Sequence, residues 1–323
     1  MRAQLAAFAL AAAASATAVA STYFDYPTKP VRIVVGATPG EPNDLLARIV
    51  APSLASFLKR PFVIDNEPGG NGSRAAATVA KASADGHVVL LVSAPFATTV
   101  SLYRNPGYDP QHDFRAIARF ASFPQVLIVQ SSLKLRTLSE FLSLVRARPG
   151  RISIASTGTG SISHLAAELM KVQAGWLNAL HVPYRGAAQA FAGLLGNHVD
   201  ALVANATAAQ VHVRTGRVQA FAVATAKRLP ALPNVPTFAE AGLRGVEASG
   251  WTGIVAPAAT PYEPVVRLSV AIAEALNTPA VRERIASQGA ETVREGPDEF
   301  TRYLHEEIER WARVVKASGI GPE

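Results

Sequence analysis

Val31-Arg32-Ile33-Val34-Val35-Gly36-Ala37-Thr38-Pro39-Gly40-Glu41-Pro42-Asn43-Asp44 starts as an apolar run and turns into a polar loop rich in glycine and proline. The first five residues predict a buried strand. Beyond the loop, Leu45, Leu46, Ile49, Val50, Leu54 and Leu58 recur at helical spacing, so a helix with one apolar face follows. The same grammar recurs downstream. Phe62-Val63-Ile64 leads through Pro68-Gly69-Gly70-Asn71-Gly72-Ser73 into an Ala-rich helix reaching Ala84, and residues 88–92 predict a third strand. Residues 126–129, 152–155, 199–203 and 220–223 predict further strands. Thr137-Leu-Ser-Glu140 and Thr237-Phe-Ala-Glu240 are capping boxes, in which the threonine and the glutamate satisfy each other's backbone donors. Near the end Phe300, Tyr303, Leu304, Ile308, Trp311, Val314 and Val315 form one helical stripe, read as core packing. Strand, loop and helix in alternation define an α/β layered fold.

The length of 323 residues suggests about two domains. With 49% hydrophobic and 17% charged residues the chain has a globular composition. It contains no cysteine, which excludes disulfides, thiolate metal sites, cysteine nucleophiles and a cysteine-borne lipid anchor. The net charge of +7 suits an anionic surface or ligand. No run of Lys or Arg exceeds two residues and no nucleic-acid-binding motif accompanies the charge, so no nucleic-acid partner is expected. Arg2, the Leu/Ala run after it and Ala18-Val19-Ala20 describe a secretory signal peptide over residues 1–20, cleaved near Ala20; an Ala-rich first helix is the alternative. No stretch is long and apolar enough to predict a membrane span. A periplasmic location is expected.

Ser156-Thr157-Gly158-Thr159-Gly160-Ser161 follows a strand and precedes a helix carrying Leu165, Leu169 and Val172. Helix N-termini offer free N–H groups and a partial positive charge, so the loop reads as an anion site or as an ordinary capped turn. It is neither a dinucleotide fingerprint nor a P-loop, and no cofactor is expected. A secreted serine hydrolase would need Ser161 or Ser163 as nucleophile, His164 as base and Asp200 as acid. There is no Gly-x-Ser-x-Gly elbow, and adjacent helical residues such as Ser163 and His164 diverge by about 100°. The expectation is therefore not an enzyme. The seven histidines show no metal-ligand spacing, so no metal is expected. His181-Val182-Pro183-Tyr184-Arg185-Gly186 offers an aromatic face and a guanidinium fork for a carboxylate, or a structural turn.

These loops, in this order, resemble the tripartite tricarboxylate transporter receptor family, the Bug-type extracytoplasmic solute receptors. The matching pieces run from Tyr26-Pro27-Thr28-Lys29-Pro30 through Asp44-Leu45-Leu46-Ala47-Arg48, Asn66 with Pro68-Gly69, Asp85-Gly86 and Ser161 to Leu165. They continue with His181 to Gly186, Val199-Asp200 and Leu232-Pro233-Asn234-Val235-Pro236-Thr237. The resemblance implies a two-lobed periplasmic binding protein fold of type 2, the Venus-flytrap, with the ligand cleft between lobes. Lobe one would be residues 24–124 plus 250–323 and lobe two 125–249, with crossings near Phe123 and near Ser249-Gly250-Trp251. It implies a monomer that captures a small organic acid, commonly a carboxylate, for membrane transporter subunits or a sensor kinase. One jaw would hold Thr38, Gly40, Glu41, Asn43, Gly70 and Asn71. The other would hold Ser156, Thr157, Gly158, Ser161, His164, Tyr184 and Asp200. The chain departs from the family's usual Pro-Phe-Pro-Pro-Gly-Gly at the first jaw, where Ala37 replaces the aromatic and Glu41 the second glycine. Glu41 either faces the cleft and repels a carboxylate, or points outward or pairs with Arg74.

Overall fold

The computed structural model describes residues 26–103 and 105–318; the expected signal peptide lies outside the described residues. The first half of the chain runs β1 (Val31–Val35), α1 (Pro42–Leu58), β2 (Phe62–Asn66), α2 (Ser73–Ala80), β3 (Val88–Ser93), α3 (Ala94–Leu102), β4 (Phe114–Gln130), α4 (Leu138–Ala147) and β5 (Ser153–Ser156). The second runs α5 (Ile162–Gln173), β6 (Leu180–Pro183), α6 (Ala187–Leu195), β7 (Ala201–Asn205), α7 (Ala206–Arg214), β8 (Val218–Val223), β9 (Ser249–Pro257), α8 (Tyr262–Asn277), α9 (Pro279–Ser287), β10 (Glu291–Glu295) and α10 (Pro297–Ser318). The Ala-rich helix stops at Ala80, short of the expected Ala84.

The strands join in the order β2-β1-β3-β9-β4-β7-β5-β6, with β10 and β8 both paired to β4. β1 is parallel to β2 and β3, and β5 is parallel to β6 and β7. The long β4 serves two half-sheets. Its residues Phe114 to Pro124 pair with β9, and Gln125 to Gln130 with β7 and β8. The changeover falls where Phe123 and Pro124 oppose Gly250 and Ser249.

Each half-sheet is buried on both faces, which explains the continuous apolar runs. Successive strand residues point to opposite sides. Ile33 and Val35 enter one core with α1 and α8, while Val34 enters another with α2 and α10. In the second half Leu127 and Val129 face α4 and α5, and Val126 and Ile128 face α6 and α7.

The last helix departs from the expected boundary. Phe300, Leu304 and Ile308 pack in the first half, but Trp311, Val314 and Val315 belong to the core of the second. A 22-residue helix is about 33 Å long and carries its apolar stripe past one core into the next. No helix among the described residues is long and apolar enough to cross a membrane.

Candidate functional site

A cleft of about 460 Å³ opens between the two halves. Parallel strands deliver their carboxyl ends to it, the place where open α/β sheets bind ligands. From the first half come Pro42 and Asn43 at the start of α1, and Ser93, Ala94 and Pro95 at the start of α3. The second half supplies Thr157, Ser161 and Ile162 at α5, Gly186 and Ala187 at α6, and Asn205 at α7. Phe123 and Gln125 on β4, with Gly250, Trp251 and Thr252 on β9, form the floor. Five helix N-termini thus meet in one space. Among the described residues, no Lys, Arg, His, Asp or Glu side chain lines it.

Hydroxyls and amides hold the walls in place. Ser161 caps α5: its Oγ accepts from the His164 N–H at 3.3 Å and donates to the Gly158 carbonyl at 2.7 Å. Ser163 Oγ accepts the Thr157 N–H at 2.8 Å and lies 2.9 Å from Thr157 Oγ1. On the facing wall the Asn43 amide donates to Ser93 Oγ at 3.0 Å, and Thr252 Oγ1 donates to Asn43 Oδ1 at 3.4 Å. Asn205 caps α7 and its amide donates to the Gly289 carbonyl across the two halves at 3.0 Å.

Of the site residues expected from sequence, Asn43, Thr157 and Ser161 line the cleft. Asn71 lines a cavity of about 30 Å³ that shares Asn43 and Ser93 with it. Thr38, Gly40, Glu41 and Gly70 are exposed and outside both linings. Glu41 Oε1 accepts a hydrogen bond from Thr38 Oγ1 at 2.6 Å, and no ion pair joins it to Arg74. Ala37 is buried in the first core. Ser156 is fully buried behind the wall, its Oγ 2.7 Å from His181 Nε2, and Gly158 contributes its carbonyl to Ser156 and Ser161. Tyr184 turns away, its ring packing on Gly193 of α6.

Asp200 lies at the wrong end of its strand. It precedes β7 and accepts from Ser153 N and Oγ, both at 2.8 Å, and from Gln130 Nε2 at 3.2 Å. Five strand residues, roughly 16 Å, separate it from the cleft. His164 Nδ1 accepts the Gly160 N–H at 3.1 Å and its ring stacks on His181 with centroids 3.7 Å apart. The serine, histidine and aspartate of a hydrolase are therefore not assembled. Among the described residues no cluster of three or more His, Asp or Glu could hold a metal. Sequence reasoning missed Ser93, Gln125, Asn205 and Thr252. Ser93 and Asn205 carried a usable signal, since each ends a strand and begins a helix.

Burial pushes the His164 imidazole down to about 4, and the neighbouring His181 and Lys171 push the same way. The folded state thus holds His164 neutral where an unfolded chain would protonate it. Stability is full above the ordinary histidine value and falls as pH drops from about 6.5 towards 4. Acidification from pH 7 to 4.5 should cost on the order of 2 kcal/mol through this group. Thermal melts across that range check it: His164→Gln should show a shallower fall than the native chain, and parallel falls would refute the assignment.

Two α/β halves around a cleft lined with hydroxyls and amides define a solute-binding protein. Residues 46–320 match the model for the tripartite tricarboxylate transporter family receptor, and the chain belongs to that family. It is 36% identical to protein BugT of Bordetella pertussis over 296 residues, 91% of this chain and 90% of the relative. Among solved structures it resembles R. palustris Rpa4515 with adipate (35% identity, TM-score 0.74, 93% of this chain and 100% of the other). It also resembles MatC of Rhodopseudomonas palustris with bound malate (32%, 0.71, 90% and 100%). A TctC solute-binding protein from Polaromonas without ligand gives 25%, 0.84, 90% and 99%. Family members are receptors and not enzymes.

Proposed function

We propose that this chain is a periplasmic receptor that captures a small dicarboxylate and delivers it to a tripartite tricarboxylate-type transporter. One observation carries the reading: five helix N-termini converge on a cleft whose lining, among the described residues, holds no charged side chain. Each terminus offers unpaired N–H groups and about half a positive charge, so a carboxylate at either end of a ligand finds donors without a lysine or arginine. Adipate and malate, bound by two relatives, are dicarboxylates of a size that suits about 460 Å³.

The lobes would be the two half-sheets with their helices, hinged where Phe123 and Pro124 meet Gly250 and Ser249. The arrangement matches the unliganded Polaromonas structure more closely than either ligand-bound one, although that sequence is the least similar of the three. This supports an open cleft that closes on its ligand.

Calorimetric titration with malate, adipate, citrate and, as a cationic control, putrescine tests the reading. Binding of at least one dicarboxylate and none of putrescine is expected. Binding of putrescine alone, or of none of the carboxylates, would overturn it.

A further inference from the structure

We propose that Glu307 is a positioning residue for ligand capture: it is the pivot that ties Trp251, beneath the cleft floor, to the lobe-bridging helix α10. The proposal rests on reading the cleft as the ligand site. Trp251 lines the cleft from the first half, and its Nε1–H donates to Glu307 Oε2 at 3.1 Å. Trp311, in the core of the second half, donates its Nε1–H to the same oxygen at 2.8 Å. Arg310 Nη1 donates to the other oxygen, Oε1, at 2.8 Å. Glu307 itself is 0% exposed.

A buried carboxylate is a costly way to fill space. Burial pushes its pKa above the ordinary carboxylate value, and Arg310 and the two indoles oppose that push. Apolar packing alone would hold α10 against both cores more cheaply. What the carboxylate adds is direction. One oxygen accepting two indole N–H groups fixes both ring planes around a single point.

Those two rings belong to different halves. Trp251 packs edge-on against Phe300 and Tyr303, with centroids 5.6 and 5.9 Å apart. Trp311 packs with Val314 and Val315 in the second core. Rotation of one half about the β4–β9 changeover therefore moves one indole relative to the other around Glu307 Oε2. Trp251 is 1% exposed, so a ligand on the cleft floor would act on that joint through strand β9 rather than by contact with the ring itself.

Two arms test the proposal. The first needs no ligand. Small-angle X-ray scattering of the unliganded Glu307→Gln protein should differ from native, because an amide cannot accept from both indoles and from Arg310 together. The second uses Trp176→Phe, which leaves Trp251 and Trp311 as the emitting residues of the three tryptophans in the chain. Malate or adipate, whichever binds the Trp176→Phe parent in calorimetry, should change its emission. In that background Glu307→Gln should shrink the change and lower affinity about tenfold. Trp311→Phe, which keeps the packing and removes one N–H, should do the same to the remaining Trp251 signal, and the two substitutions should not add. Native scattering together with native affinity and emission change in both variants, even with a lowered melting temperature, would reduce Glu307 to a packing residue. If the parent binds neither acid, the ligand reading fails, and an unchanged scattering curve alone then overturns the pivot.

Discussion

Thr157→Asp is expected to lower affinity for a bound dicarboxylate between roughly 100- and 1,000-fold. Thr157 lines a cleft in which no described residue carries a charged side chain, so none of them neutralises an added carboxylate. Two unit charges about 4 Å apart repel by about 4 kcal/mol at an effective dielectric of 20. The helix N-termini that would hold the ligand would hold the aspartate instead, and the two effects work in the same direction. Thr157→Val removes only the hydroxyl. It should cost one hydrogen bond to a charged group, about 1.5–3 kcal/mol, or roughly ten- to 150-fold. The order of the variants is the informative result, read by calorimetry at one ionic strength. Affinity within threefold of native for Thr157→Asp would place the ligand away from this wall.

The contrast between Asn205 and Asp200 shows what sequence could and could not provide. Both flank β7, an apolar strand legible because a parallel strand is buried on both faces. The family resemblance drew attention to Asp200, a carboxylate in a conspicuous Val-Asp pair. Strand direction decides otherwise: Asp200 precedes β7 and Asn205 ends it, and only the carboxyl end opens on the cleft. Chain direction is in the sequence, so this part was readable. The meeting of five helix starts was not, because it depends on which strands lie side by side. Nor could the stripe from Phe300 to Val315 reveal that it serves two cores, since helical periodicity gives a face and not its partner. Glu41 illustrates a third limit. Its place in the loop leaves cleft, solvent or a pairing with Arg74 open, and a local bond from Thr38 Oγ1 holds it on the exposed surface.

The same bridging helix makes Gly253 a position where one methyl group matters. Gly253 lies on β9, paired with Val92 of β3 and Arg119 of β4, in the middle of the first half-sheet. A Cβ there would strike the Phe300 ring, at Cζ and at 2.6 Å from Cε1, and would lie 2.8 Å from the Ala118 carbonyl oxygen. The ring is fully buried under α10, and the carbonyl is part of the adjoining strand. Neither can yield without lifting α10 or opening the β4–β9 pairing. Gly253→Ala should therefore cost about 3 kcal/mol, near the upper end for overpacking, and lower the melting temperature by roughly 6–12 °C. Phe300→Leu in the same chain should recover part of the loss, because it removes the ring but leaves the carbonyl in place. Gly253 does not line the cleft, so dicarboxylate affinity well below the melting point should stay within twofold of native unless the lifted helix drags Glu307 with it. A melting temperature within 2 °C of native would mean that α10 sits less tightly on β9 than the geometry requires, and the close approach that lets one helix reach both cores would lose its basis.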